Sequence, residues 1–168
     1  MQGVPDRHLP GVSPGQFAAP ISFVRARGFF GIGVSVADIK NLTGVRVMVI
    51  DDSNTIRRSA EIFLMQAGCQ VILAENGFDA LAKIADHQPD LIFVDIMMPR
   101  LDGYQTCALI KKSTKHRDTP VIMLSSKDSL FDRARGRMVG SDEYLTKPFT
   151  KESLLKAVEA HLTHRSPA

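Results

Sequence analysis

From Val45 onward the chain repeats one pattern five times: a short apolar run, then a longer amphipathic stretch. The runs predict strands at Val45–Ile50, Gln70–Ala74, Leu91–Val94, Val121–Leu124 and Glu143–Thr146. Helical periodicity is expected near residues 55–67, 78–86, 104–113, 129–138 and 151–162. The first, third and fourth runs are apolar throughout rather than alternating. Such strands are covered on both faces, which implies a parallel sheet between two helical layers. Five strand–helix units in succession predict a doubly wound α/β domain. Local signals agree. Gly68 is a candidate C-cap for the first helix, and Asn76-Gly77 opens the second, with Leu81, Ile84 and Ala85 as its buried stripe. Thr150 is an N-cap candidate for the last helix, which carries Leu154, Leu155, Val158 and Leu162 on one face.

Residues 1–43 are different. Four of the nine prolines lie in the first twenty positions, and periodicity is poor. A mobile leader is one reading. A translation start further in is another. A secretory signal in "FFGIGVSVA" is disfavoured, because the stretch is short and broken by glycines. The expected organisation is a leader at 1–43, a domain at 44–162 and a short tail at 163–168. The net charge of +3 divides into +2 for residues 1–43 and +1 for the remainder, where 17 basic residues face 16 acidic ones. A near-neutral domain has no electrostatic footprint for nucleic acid. No run of about 18 apolar residues exists, so no membrane insertion is expected. Cys69 and Cys107 form no CxxC pair and read as reduced structural thiols of a cytoplasmic protein.

Ligands of parallel α/β sheets bind outside the carboxyl ends of the strands. The residues there are Asp51 and Asp52 after the first run, Asp95 closing "LIFVD", Ser125 closing "VIMLS" and Lys147 in "EYLTKPF". Two adjacent carboxylates at the end of a buried strand repel each other and resist desolvation. A hard cation relieves both costs, and oxygen ligands without His or Cys point to Mg2+. Asp52 and Asp95 are the expected direct ligands, Asp51 acts through water, and the Met97 carbonyl is a further candidate. Asp95, central in the set, is the candidate nucleophile toward a phosphoryl group. Lys147 and the Ser125 hydroxyl are placed to hold phosphoryl oxygens. The bland alternatives are an anion pair at a helix start for Asp51 and Asp52, a surface lysine for Lys147 and simple packing for Tyr144. "DDSNTIRR" is neither of the Gly-rich phosphate loops, Asp95 does not begin a DxDxT pattern, and no Ser-His-Asp arrangement is suggested.

"DDS", "DIMMPRLDGY", Ser125 and "YLTKPF", each at a strand end and in this order, resemble the receiver domain of bacterial response regulators over about residues 44–162. "VMVIDDSNTIRR", "FVDIMMPRLDGYQTCALIK" and "GSDEYLTKPF" are similar to the single-domain regulators of the chemotaxis-like pathway for type IV pilus twitching motility. Asn54 departs from the Lys more usual there. The resemblance implies a flavodoxin-like sheet of order 2-1-3-4-5 with five helices. It implies phosphorylation of Asp95 by the phosphotransfer domain of a histidine kinase, with Mg2+ as cofactor. It also implies a switch in which Ser125 and Tyr144 move and reshape the face made by the fourth helix, fifth strand and fifth helix. A cis peptide bond at Lys147–Pro148 belongs to the same expectation. Catalysis is then limited to the chain's own phosphorylation and dephosphorylation. With six residues after Leu162, the output is expected to be contact with a downstream motility or signalling protein. A phosphate sink for a shared kinase and a phosphorylation-independent interaction module are the alternatives.

Met97 and Lys127 each lie two positions beyond a site residue and are expected to flank an attacking water. A thioether orients water poorly, which predicts slow self-dephosphorylation. The basic run Lys111–Arg117 reads as a solvated helix end, and His161 with His164 as a solvated pair. Phe29-Phe30 lacks surrounding periodicity and carries no assignment.

Overall fold

Apolar runs without alternation make strands here because helices cover both of their faces. The computed structural model describes residues 42–127 and 130–162. The expectations for residues 1–41 and 163–168 lie outside the described residues. In chain order the elements are β1 (Arg46–Ile50), α1 (Asn54–Gln66), β2 (Gln70–Ala74), α2 (Gly77–His87), β3 (Leu91–Asp95) and α3 (Gly103–Lys112). β4 (Val121–Ser125), α4 (Leu130–Met138), β5 (Glu143–Thr146) and α5 (Lys151–Leu162) follow. The five strands are parallel and ordered β2-β1-β3-β4-β5, as expected of the flavodoxin-like fold. β3 and β4 are buried along their whole length, and only Arg46 of β1 is partly exposed. β2 and β5 form the edges.

Alternation along the central strands sorts the core into two layers. Val47, Val49, Leu91, Phe93, Ile122 and Leu124 pack against Ala60 and Leu64 of α1 and Leu154, Leu155 and Val158 of α5. Met48, Ile50, Ile92, Val94 and Met123 pack on the other side against Ala80 and Ile84 of α2 and Tyr104, Cys107 and Ile110 of α3. Phe93 and Met48 are among the largest fully buried side chains, and each such burial is worth about 1.5–3 kcal/mol. Both cysteines are free and buried, and burial pushes each thiol up to about 11.

Helix ends follow local chemistry. Gly68, just past the C-cap Ala67, takes φ +92°; its N–H donates to Met65 O and that of Cys69 to Leu64 O, a Schellman closure. Asn76 caps α2 through the Asp79 N–H at 2.8 Å. Thr150 Oγ1 accepts the Ser153 N–H at 3.0 Å, as expected of an N-cap. Asp102 and Gln105 form a capping box at the start of α3. Gly103 behind it is pressed against β3: a Cβ there would lie 2.3 Å from the Asp95 carbonyl oxygen. This close approach seats α3 under the end of β3.

Three side-chain expectations are corrected. The buried stripe of α2 is Gly77, Ala80 and Ile84, with Leu81 half-buried, while Ala85 is exposed. Ala80 lies four residues before Ile84 and so shares its face, whereas Ala85 is one residue on and about 100° round the helix. Lys111 is not solvated; its ammonium donates to Thr119 O at 2.9 Å and pairs with Asp142 Oδ2 at 2.8 Å. His161 is not solvated either, since Nε2 lies 2.6 Å from Glu143 Oε2. His164 lies outside the described residues.

Candidate functional site

The parallel register brings the strand ends together. Ile50 is level with Val94, Asp95 with Leu124, and Ser125 with Thr146. The residues closing or following those strands therefore meet on one rim. Asp51, Asp52 and Asp95 each offer a carboxylate oxygen, and these oxygens lie within 4.8 Å of one another. Asp51 and Asp95 are buried, and Asp52 is exposed. Lys147 Nζ lies 2.6 Å from Asp51 Oδ2 and 3.0 Å from Asp95 Oδ1. The Lys147–Pro148 bond is cis, as expected, and the Lys147 N–H donates to Ser125 O at 2.6 Å.

Each carboxylate has a different load. Asp51 Oδ1 accepts the Ser53 N–H at 2.9 Å, so both of its oxygens are engaged. Asp95 Oδ1 accepts the Met97 N–H at 3.3 Å in addition to its contact with Lys147. Burial and the neighbouring Asp51 charge push Asp95 up to about 6, although Lys147 pulls the other way. Burial alone lowers Lys147, but its bonds to Asp51 and Asp95 outweigh this and hold it above the usual lysine value. The set fits a hard dication: three carboxylates without His or Cys, one of them solvent-facing, with oxygens crowded within 4.8 Å of one another.

Ser125 Oγ donates to Lys127 O at 3.0 Å and accepts the Lys127 N–H at 3.1 Å. The Tyr144 hydroxyl donates to the same Lys127 carbonyl. One acceptor thus holds both residues expected to move. Tyr144 is half-buried, and the Arg133 guanidinium stacks 5.1 Å above its ring centre. A cavity of about 460 Å³ opens beside the acidic set, lined by Asp52, Met97, Ser125 and Lys127 on one side and Tyr104 and Arg135 on the other. The Met97 side chain is 68% exposed at its mouth, while Met98 is buried.

Sequence reasoning missed two groups. The Tyr104 hydroxyl donates to Asp132, and Arg135 stacks 4.4 Å over the Tyr104 ring, joining α3 to α4 at the cavity wall. No local pattern announces a contact between elements so far apart in sequence. Arg57 is the second: Nη1 donates to the Asp51 carbonyl at 2.6 Å. Its partner is a backbone carbonyl, which leaves no side-chain pattern in the sequence, although α1 carries two arginines near its start and no acidic residue in its first turn.

Comparison with known proteins agrees with this geometry. The response regulator receiver domain family matches residues 47–159. Protein PilG of Pseudomonas aeruginosa is 68% identical over 124 residues, which make up 74% of this chain and 92% of that protein. Response regulator MprA of a Mycobacterium species is 40% identical over 123 residues, 73% of this chain but only 53% of that longer protein. Among solved structures, the chemotaxis protein CheY4 of Vibrio cholerae superposes with a TM-score of 0.68 at 32% identity, covering 70% of this chain and 98% of CheY4. The receiver domain of a Francisella response regulator gives a TM-score of 0.66 at 34% identity, covering 71% of this chain and 98% of that one. No helix among the described residues is long and apolar enough to cross a membrane. With the fold, the strand-end carboxylates and the sequence match in agreement, this chain belongs to the response regulator receiver family.

Proposed function

We propose that the chain is a phospho-accepting regulator whose nucleophile is Asp95 and whose output is protein contact. The observation that carries this reading is the gathering of three carboxylates and Lys147 on one rim, with their oxygens within 4.8 Å of one another. Asp51, Asp52, Asp95 and the Met97 carbonyl would hold Mg2+, Asp51 through water. Its chemistry when bound is neutralisation of phosphoryl oxygens. Asp95 attacks the phosphorus of a phosphohistidine on a kinase phosphotransfer domain. A bond to the Asp95 oxygen forms, the bond to the imidazole nitrogen breaks with its electron pair staying on the ring, and the ring, protonated on its other nitrogen, leaves as neutral imidazole. Lys147 stays protonated and stabilises the charge as it moves onto the acceptor. All of these residues lie within the stretch 44–162 that the sequence marks out as the domain.

The Ser125 hydroxyl then turns from Lys127 O to a phosphoryl oxygen. Tyr144, which shares that carbonyl, loses its reason to stay, and the face of α4, β5 and α5 shifts population. The solvent-facing Leu130, Phe131 and Met138 of α4, exposed by 84%, 77% and 87%, support a docking output over a mere sink. The resemblance of the sequence motifs to the regulators of type IV pilus twitching, together with the 68% identity to Protein PilG, supports a cytoplasmic role in that pathway.

Incubating the chain with acetyl phosphate and Mg2+ should add the mass of one phosphoryl group, and Asp95→Asn should add none. A mass gain retained by Asp95→Asn would remove Asp95 from the role. In cells, a twitching zone lost with Asp95→Asn and restored by the native gene is the expected outcome. Full motility from Asp95→Asn would favour the phosphorylation-independent module.

A further inference from the structure

The start of α1 runs against electrostatics. A helix N-terminus carries partial positive charge, so cations are disfavoured there and acids welcome. α1 has no acidic residue in its first turn, yet Arg57 and Arg58 stand fourth and fifth in it. Arg58 is answered by Glu61 at 2.5 Å, one turn on. Arg57 instead folds back past its own helix start. Its Nη1 donates to Asp51 O at 2.6 Å, and Nη2 reaches Asn54 Oδ1 at 3.5 Å.

The contact completes a clamp. The Asp51 N–H donates to Ala74 O, its Oδ1 accepts from Ser53, and its Oδ2 pairs with Lys147. The carbonyl is the remaining polar atom of Asp51, and Arg57 takes it. That oxygen is coplanar with the nitrogen and Cα of Asp52, because the peptide unit is rigid. Fixing the oxygen therefore fixes where the Asp52 nitrogen and Cα lie, and so the point from which its side chain departs. Asp51 points inward to Lys147, and Asp52 must point outward beside Asp95 for the three carboxylates to converge. A two-nitrogen fork, bridging loop and helix, holds such a plane better than a single-point donor does.

We infer that Arg57 is a positioning residue: its guanidinium sets the Asp51–Asp52 peptide plane and so aims the Asp52 carboxylate at the cation site. The inference rests on the Mg2+ reading proposed above. It competes with a plain charge effect, and the two have opposite signs. If Arg57 acts only as a nearby positive charge, removing it strengthens the binding of a cation. If it aims Asp52, removing it weakens binding even though the site becomes more negative.

The test is calorimetric titration of the full chain with Mg2+, for the native protein, Arg57→Met and Arg57→Lys. Arg57→Met should weaken binding about tenfold, at the lower end of what losing a ligand-orienting contact does. Arg57→Lys, keeping the charge and one donor, should fall between the two. In the metal-free protein, exchange of the Asp52 and Ser53 amide hydrogens should quicken about tenfold in Arg57→Met, while the second half of α1 keeps its protection. A merely structural role in α1 would move the whole helix instead. Mg2+ bound equally or more tightly by Arg57→Met, or unchanged exchange at Asp52, overturns the inference alone. A native chain that takes up no Mg2+ brings down the cation reading and this inference together.

Discussion

Lys147 sits between two buried carboxylates with its side chain only 14% exposed. Removing one partner of a buried pair leaves the others uncompensated. Lys147→Met should therefore cost about 3–5 kcal/mol in the metal-free protein, read from the urea midpoint. Added Mg2+ should restore part of the loss, and an unchanged midpoint would contradict the pairing seen here. Met97 bears on rate rather than stability. Its exposed thioether lines the cavity beside the acidic set, where, on the phospho-acceptor reading, water would approach Asp95. Met97→Asn offers a donor and an acceptor there, and self-dephosphorylation should quicken about tenfold, equivalent to about 1.4 kcal/mol of barrier. Equal decay of the two phosphoproteins would dismiss the idea. At this scale the site was legible where chemistry ends an apolar run: Asp51, Asp52, Asp95, Ser125 and Lys147 are all brought to one rim. Lys111, His161 and Arg57 were not legible. Their partners are set by tertiary geometry, Lys111 reaching Asp142 across 31 positions and Arg57 a backbone carbonyl that carries no side-chain signature.

The helices differ in what anchors them. α5 buries Leu154, Leu155, Ala157 and Val158, whereas α4 buries Gly136 alone. Leu130, Ala134 and Met138 recur every fourth residue on the solvent side of α4, with Phe131 beside them. The helix is held by polar edges instead: Arg133 on Tyr144, and Asp132 and Arg135 on Tyr104. Few buried apolar contacts mean low local stability. Amide exchange in α4 should accordingly outpace that in α5 by at least about tenfold, a difference of about 1.4 kcal/mol in local opening. Equal protection would mean that the stacked arginines substitute fully for a core face. Periodicity found both helices, α5 with its expected ends and α4 with its expected end at Met138. It did not reveal that the apolar stripe of α4 faces outward, because hydrophobic spacing records a face and not the direction in which it points. Ala85 was misassigned in α2 for a related reason: between two small residues, the pattern has little to separate the one that faces the sheet.

Stability of the whole domain rests on the sheet between its two layers. Phe93 is fully buried in the layer shared with α1 and α5. Phe93→Ala should cost about 3–5 kcal/mol of unfolding free energy, and a loss below about 1 kcal/mol in denaturant titration would mean that the layer refills the space. The parallel character of the sheet was legible, since only strands covered on both faces can be apolar throughout. The strand order was not a product of periodicity, because the same runs satisfy several right-handed arrangements; it came from the family resemblance, and the sheet agrees. Along β3, Phe93 belongs to one layer and Val94 to the other, and Asp95 follows at the tip. The strand that ends in Asp95 is thus the backbone common to both layers, and any displacement of its tip meets packed neighbours on either flank of the sheet.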